Sequence, residues 1–201
     1  MSIITKLIII ALQTVFVKNL VFSGGFGMGE ALRIATKPRR FMMFAALLTG
    51  FSAVDALVCA ALYKLFPALD ELPMAHQIPI NACVLLVLFL LVVLIVTIAT
   101  RQRPMEKFLS TIGMAALNTL VFTLPILGRL SAYGLLEALA FGIGAGLAFL
   151  LALSVLRLGV ERIVENSDDI PYPFRGTPAL FIYSALFSLA MVGLAGEALL
   201  S

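Results

Sequence analysis

Apolar residues run in long unbroken blocks along this chain, and the polar residues gather between the blocks instead of alternating within them. The stretch from Ala82 to Val96 contains no polar residue at all. The blocks predict spans at 3–23, 41–66, 78–100, 108–129, 133–156 and 178–200, most of them at or above the roughly 20 apolar residues that cross a bilayer core. The expected architecture is therefore all-α: one polytopic membrane domain over residues 1–201 with six transmembrane helices.

Two of the blocks hold a shared local pattern. Asn19 is followed by Leu20-Val21-Phe22-Ser23, and Asn118-Thr119 by Leu120-Val121-Phe122-Thr123. The first copy runs into Gly24-Gly25 and the second into Pro125 and Gly128, residues that disfavour a regular helix. Helices interrupted at matching positions of two halves point to a site near the bilayer midplane. The chain divides near residue 101 into halves of three spans each, about 1–100 and 101–201. An odd number of spans per half turns a duplicated second half upside down. The expectation is two inverted three-helix repeats with spans one and four interrupted, although Asp55 in span two has no counterpart in span five.

Gly24-Gly25-Phe26-Gly27-Met28-Gly29 is the most glycine-dense stretch. A nucleotide-binding glycine loop requires a preceding strand and a parallel sheet, which this pattern does not offer. A continuous helix from Ile3 to Ala35 would be about 50 Å long and overshoot the bilayer, so the chain is expected to break at the glycines. Non-helical backbone at that depth survives only where protein or a water-lined cavity covers it. Span five carries Gly142-Ile143-Gly144-Ala145-Gly146, small residues that admit another helix closely, and is expected to continue as a helix to about Asn166.

Composition agrees with the block pattern. The chain is 62% hydrophobic and 12% charged, with a mean hydropathy of +1.10, against about 25% charged in a soluble domain. The net charge of +3 comes from cations placed unevenly. Arg33, Lys37, Arg39, Arg40, Arg101, Arg103, Lys107, Arg157, Arg162 and Arg175 fall in odd-numbered loops, whereas Lys6, Lys64 and Arg129 fall on the other side. That asymmetry places the odd loops in the cytoplasm and both termini outside. It reports topology and does not suggest nucleic acid. A cleaved signal peptide does not fit the first block, which is long and lacks a clean small-residue cleavage site.

Ionisable groups within spans are functional candidates. Asp55 lies near the middle of span two, as an ion or proton group or a structural hydrogen-bond partner. Lys18 lies near the inner end of span one, where its side chain can snorkel. The midplane candidates are Asn19, Ser23, Gly24, Gly25, Asn118, Thr119, Thr123 and Pro125. His76 is the single histidine, so neither a histidine metal site nor a Ser-His-Asp triad can be built; no catalytic or metal-ligating set is expected. Cys59 and Cys83, the two cysteines, are too few to hold an iron–sulfur cluster alone, which takes four.

The tail carries the most specific likeness. Val160-Glu161-Arg162-Ile163, then Ile170-Pro171-Tyr172-Pro173-Phe174-Arg175-Gly176, and Ser188-Leu189-Ala190-Met191-Val192-Gly193, together with length and span number, resemble the Rnf/Nqr membrane subunits, the A-type subunit of Rnf and its E-type relative in Nqr. Asn19 and Asn118 fit that family's half-helix motifs. The resemblance implies a prokaryotic inner-membrane subunit of a complex that couples electron transfer to ion pumping. Its partners would be a paralogous six-helix subunit or a second copy of itself, other complex subunits and lipid. In the family, cysteines in the half-helix motifs hold an iron–sulfur cluster. Here Thr119 stands where the family has cysteine, and Gly24–Gly29 contains none. No cofactor is expected on this chain alone, the cluster belonging to cysteine-containing relatives. A stand-alone inverted-repeat transporter of an ion or small solute is the alternative, and a structural partner for another membrane protein a third.

Overall fold

The computed structural model describes residues 2–36, 41–99 and 106–196, and every regular element among them is helical. The chain begins with α1 (Ile3–Leu12), widens into a π-turn over Gln13–Val17, and restarts as the short α2 (Leu20–Gly24) and α3 (Met28–Ala35). Next come α4 (Phe41–Leu65), the one-turn α5 (Pro67–Asp70) and α6 (Met74–Ala99). The second half holds α7 (Glu106–Ala116), α8 (Thr119–Leu130), α9 (Leu135–Glu165) and α10 (Thr177–Ala195).

Among the described residues, four stretches are long and apolar enough to cross a membrane: Phe41–Leu65, Met74–Ala99, Phe108–Leu130 and Leu135–Glu165. The expected first and last spans are shorter as helices, at Ile3–Val17 and Thr177–Gly193. The first is cut short because its chain leaves the helical path at Lys18 (φ −104°, ψ 52°).

α4 and α9 form the centre and make the most extensive helix pair. Lipid tails are as apolar as leucine, so helix pairing in a membrane depends on close fit more than on water expulsion. The three α9 glycines supply that fit. A Cβ on Gly142 would lie 2.8 Å from the Ala53 Cα, and one on Gly146 would lie 2.5 Å from the Thr49 Cα, both on α4. One on Gly144 would lie 3.0 Å from the Ala11 carbonyl of α1. The small-residue stripe of span five is thus used up inside the bundle, between α4 and α1. Above it, Phe44 and Phe149 meet with centroids 5.7 Å apart, both fully buried.

Charges sort the helix ends. Lys6 in α1 pairs with Glu137 in the first turn of α9, so α1 and α9 start at one end of the bundle. Glu137 also accepts from the Gly134 N–H at 3.1 Å, closing the start of α9. Arg129, at the end of α8, pairs with Asp70 at 2.6 Å just beyond the end of α4. Lys37, Arg39, Arg40, Arg101 and Arg103, half of the expected cytoplasmic cations, lie outside the described residues, as does the side chain of Lys107.

α6 is apolar all round and contributes little to the core: Gln77, Asn81 and Leu85 are its buried residues. Leu90, Leu94 and Ile98 are open on its outer face, as expected of a helix whose neighbour is lipid.

Candidate functional site

The first fracture is held by one side chain. Asn19 is fully buried and caps α2, its Oδ1 accepting from the Val21 N–H at 3.2 Å and the Phe22 N–H at 3.3 Å. Its Nδ2 donates to the Val15 carbonyl at 3.0 Å and to the Ala148 carbonyl of α9 at 3.3 Å. An asparagine in this role satisfies donors that a new helix start leaves open, and here it also fastens the fracture to the central helix. Ser23 donates back to the Asn19 carbonyl at 2.8 Å.

The glycine run then turns the chain. Gly25 and Gly27 have φ of 70° and 75°, a left-handed conformation that glycine adopts without a Cβ penalty. The expected break at the glycines is present. It is preceded by an additional one at Lys18–Asn19, where the asparagine cap makes a restart possible.

The second fracture corrects the expected position. α8 runs without interruption from Thr119 through Pro125 and Gly128 to Leu130, so these two residues do not break it. The interruption lies upstream at Leu117–Asn118, again at an asparagine cap: Asn118 Oδ1 accepts from the Leu120 N–H at 2.9 Å. Pro125 removes one ladder donor, a loss that transmembrane helices tolerate. Thr123 donates to the Thr119 carbonyl at 2.6 Å, the same four-residue spacing as Ser23 to Asn19 in α2.

The two fractures meet. The Gly27 N–H donates to Thr119 Oγ1 at 2.9 Å, and a Cβ on Gly27 would fall 2.6 Å from Asn118 Oδ1 and 3.1 Å from the Phe149 ring. Asn118 Nδ2 is buried without a hydrogen-bond partner. Asn19, Asn118, Thr119 and the glycine turn therefore gather against α9. Ser23, Gly24, Gly25 and Lys18 are exposed at its edge. Gly27 was legible only as part of a glycine run; the Asn118 contact that makes it indispensable is a tertiary feature without a local signal.

Asp55 stands apart from these fractures. It is fully buried midway along α4, and Cys59 Sγ donates to its Oδ1 at 3.9 Å. Its Oδ2 and the Ser52 Oγ one turn earlier have no hydrogen-bond partner. Lys18 is exposed and forms no ion pair with it. A cavity of about 470 Å³ opens near the α4 end and reaches from Lys64, Asp70 and Arg129 to Ala56 and Pro125.

A family model described as "Rnf-Nqr subunit, membrane protein" matches residues 7–197. The chain belongs to the Rnf-Nqr family. Among its relatives, the A subunit of the ion-translocating oxidoreductase complex from Vibrio campbellii is 30% identical over 196 residues, covering 96% of this chain and 98% of the relative. The corresponding protein of Colwellia psychrerythraea is 28% identical over 200 residues, covering 96% and 97%. A shorter match to that of Pseudomonas paraeruginosa reaches 45% over 64 residues, 32% of each chain. These relatives and the long apolar helices make this Rnf-Nqr member a multi-pass membrane protein of the type found as a subunit in an ion-translocating oxidoreductase complex.

Proposed function

We propose that this chain is a cluster-free membrane subunit of such a complex, giving scaffold and ion path while the iron–sulfur chemistry stays on other subunits. The observation that carries this reading is the contact between the fractures. Thr119 Oγ1 accepts from the Gly27 backbone at 2.9 Å, and Asn118 Oδ1 fills the space a side chain at residue 27 would need.

The residues present do not fit a cluster. A cluster takes four ligands, normally thiolates. The cysteines here are Cys59, engaged with Asp55, and Cys83, exposed on α6; neither lies at a fracture. The fractured face instead offers a hydroxyl, an amide and backbone.

The remaining parts of the reading follow from the same face. Lys18, Ser23, Gly24 and Gly25 leave polar groups exposed at the fracture, and lipid cannot satisfy such groups. A paralogous six-helix subunit or a second copy of this chain covers them. The paired fractures support two inverted three-helix halves, about 1–100 and 101–201. The charge asymmetry supports an inner-membrane orientation with both termini outside.

The test is purification of the tagged chain from its native membrane. Co-purification of flavin- or iron-bearing subunits is expected, with no iron on the chain expressed alone. Stoichiometric iron on the isolated chain overturns the cluster-free reading. An isolated homodimer that transports an ion or solute in liposomes replaces the subunit reading with the transporter one, which draws on the cavity beneath Arg129.

A further inference from the structure

We propose that Asp55 is a proton-loading site, reached from the end of the bundle marked by Arg129 and Asp70 and serving the ion path of the subunit reading, on which this inference rests. Four polar side chains share one stripe of α4: Ser52, Asp55, Cys59 and Tyr63, at spacings of three or four residues that stack them along one side of a helix. All four are buried. The Cys59 thiol already donates to Asp55, and the Tyr63 hydroxyl donates to Asn81 of α6 at 2.7 Å. Tyr63 also lines the cavity, with the Arg129 guanidinium 5.5 Å from its ring centroid. The cavity thus touches the stripe at its Tyr63 end and reaches Ala56, the residue beside Asp55.

Among the described side chains, the paired charges on elements packed around α4 hold one another and not Asp55, while Lys64 and Glu71 stand exposed at the cavity end. Arg129 of α8 holds Asp70, Glu137 of α9 holds Lys6, and Arg157 holds Glu161. Cys83 of α6 is exposed, and His76 stands at the start of α6. Among the described residues none makes an ion pair with Asp55.

An unpaired carboxylate so placed costs far more than the neutral acid, so the resting side chain carries its proton on an oxygen. Release sends that proton toward the cavity and leaves the carboxylate; uptake reverses it. A sodium ion fits poorly, because hard cations take a shell of oxygen ligands. The polar side chains beside the carboxylate on its stripe are one hydroxyl and a thiol.

The probe is dicyclohexylcarbodiimide, an apolar reagent. A protonated carboxyl adds its O–H across the N=C=N group, and the adduct rearranges to a stable N-acylurea carrying the whole reagent. With the full chain in lipid, mass spectrometry should find Asp55 modified at neutral pH, less so as the pH rises, and equally with or without sodium ions. Asp55→Asn should lose the modification and Asp55→Glu keep it. Protection by sodium overturns the proton assignment, as does absence of modification at every pH from neutral down to about 5.

In the purified complex, Asp55→Asn should lose ion translocation while electron transfer persists. Retained translocation overturns the proposal. A chain that is modified at Asp55 but never joins a complex sinks the subunit reading alone.

Discussion

The two fractured helices begin alike and end differently. Each restarts at a buried asparagine, and each closes its first turn with a hydroxyl bonded four residues back, Ser23 to Asn19 and Thr123 to Thr119. In the first, the cap is two residues wide and the amide is spent entirely, on α2, on Val15 and on α9. In the second, helix α8 starts one residue earlier relative to its Leu-Val-Phe. Asn118 then caps Leu120 alone and keeps a buried amide donor without a partner. The slip puts Thr119 into the first turn, where its hydroxyl reaches Gly27. The first fracture is a rigid anchor. The second is the adaptable side, stitched to the first by one hydroxyl and holding a polar group in reserve.

Five substitutions test that contrast, each read as a change in unfolding free energy in detergent. Gly27→Ala should have the largest effect. It adds a Cβ in a left-handed conformation, costing about 1–2 kcal/mol, and drives it into Asn118 and Phe149, costing about 1–3 kcal/mol more. A loss below about 1 kcal/mol would mean that the two fractures give way freely. Asn19→Ala comes next, at about 2–3 kcal/mol, because it removes a cap and strands the buried Val21 and Phe22 N–H donors. Asn118→Ala should cost about 1 kcal/mol, since one capping bond goes and an unpaired donor goes with it. Equal losses at the two asparagines would erase the distinction between anchor and adaptable side. Thr119→Val should be milder, about 0.5–1 kcal/mol for one partly buried hydrogen bond, with Thr119→Ser close to the parent.

Much of this was legible in the blocks. α4, α6, α8 and α9 fall where apolar runs placed them, and α9 ends at Glu165, next to the Asn166 stop. The glycines of α9 were readable as a contact stripe, because only small residues let backbones approach. The positions of the fractures were less legible. Proline and glycine mark where a helix can break, yet α8 carries Pro125 and Gly128 in its interior. The break sits where an asparagine side chain could cap the restart, a choice settled by burial against α9. Asp55 was visible as a charge in an apolar run. Its unpartnered oxygen depends on what packs against α4, and the Tyr63–Asn81 bond on how α4 and α6 cross, information that no single helix contains. Lys18 and Asp55, both ionisable and both in early spans, do not meet, because the first helix leaves its path just as Lys18 is reached.

Pro125 has one further consequence. Lacking an N–H, it leaves the Val121 carbonyl without its ladder partner halfway along α8, with Pro125 itself on the wall of the cavity. A helix already missing a rung can flex there without surrendering another. The wall beneath Arg129 is therefore a point where α8 can bend without breaking a further backbone bond, at the edge of the glycine-locked pair α4 and α9.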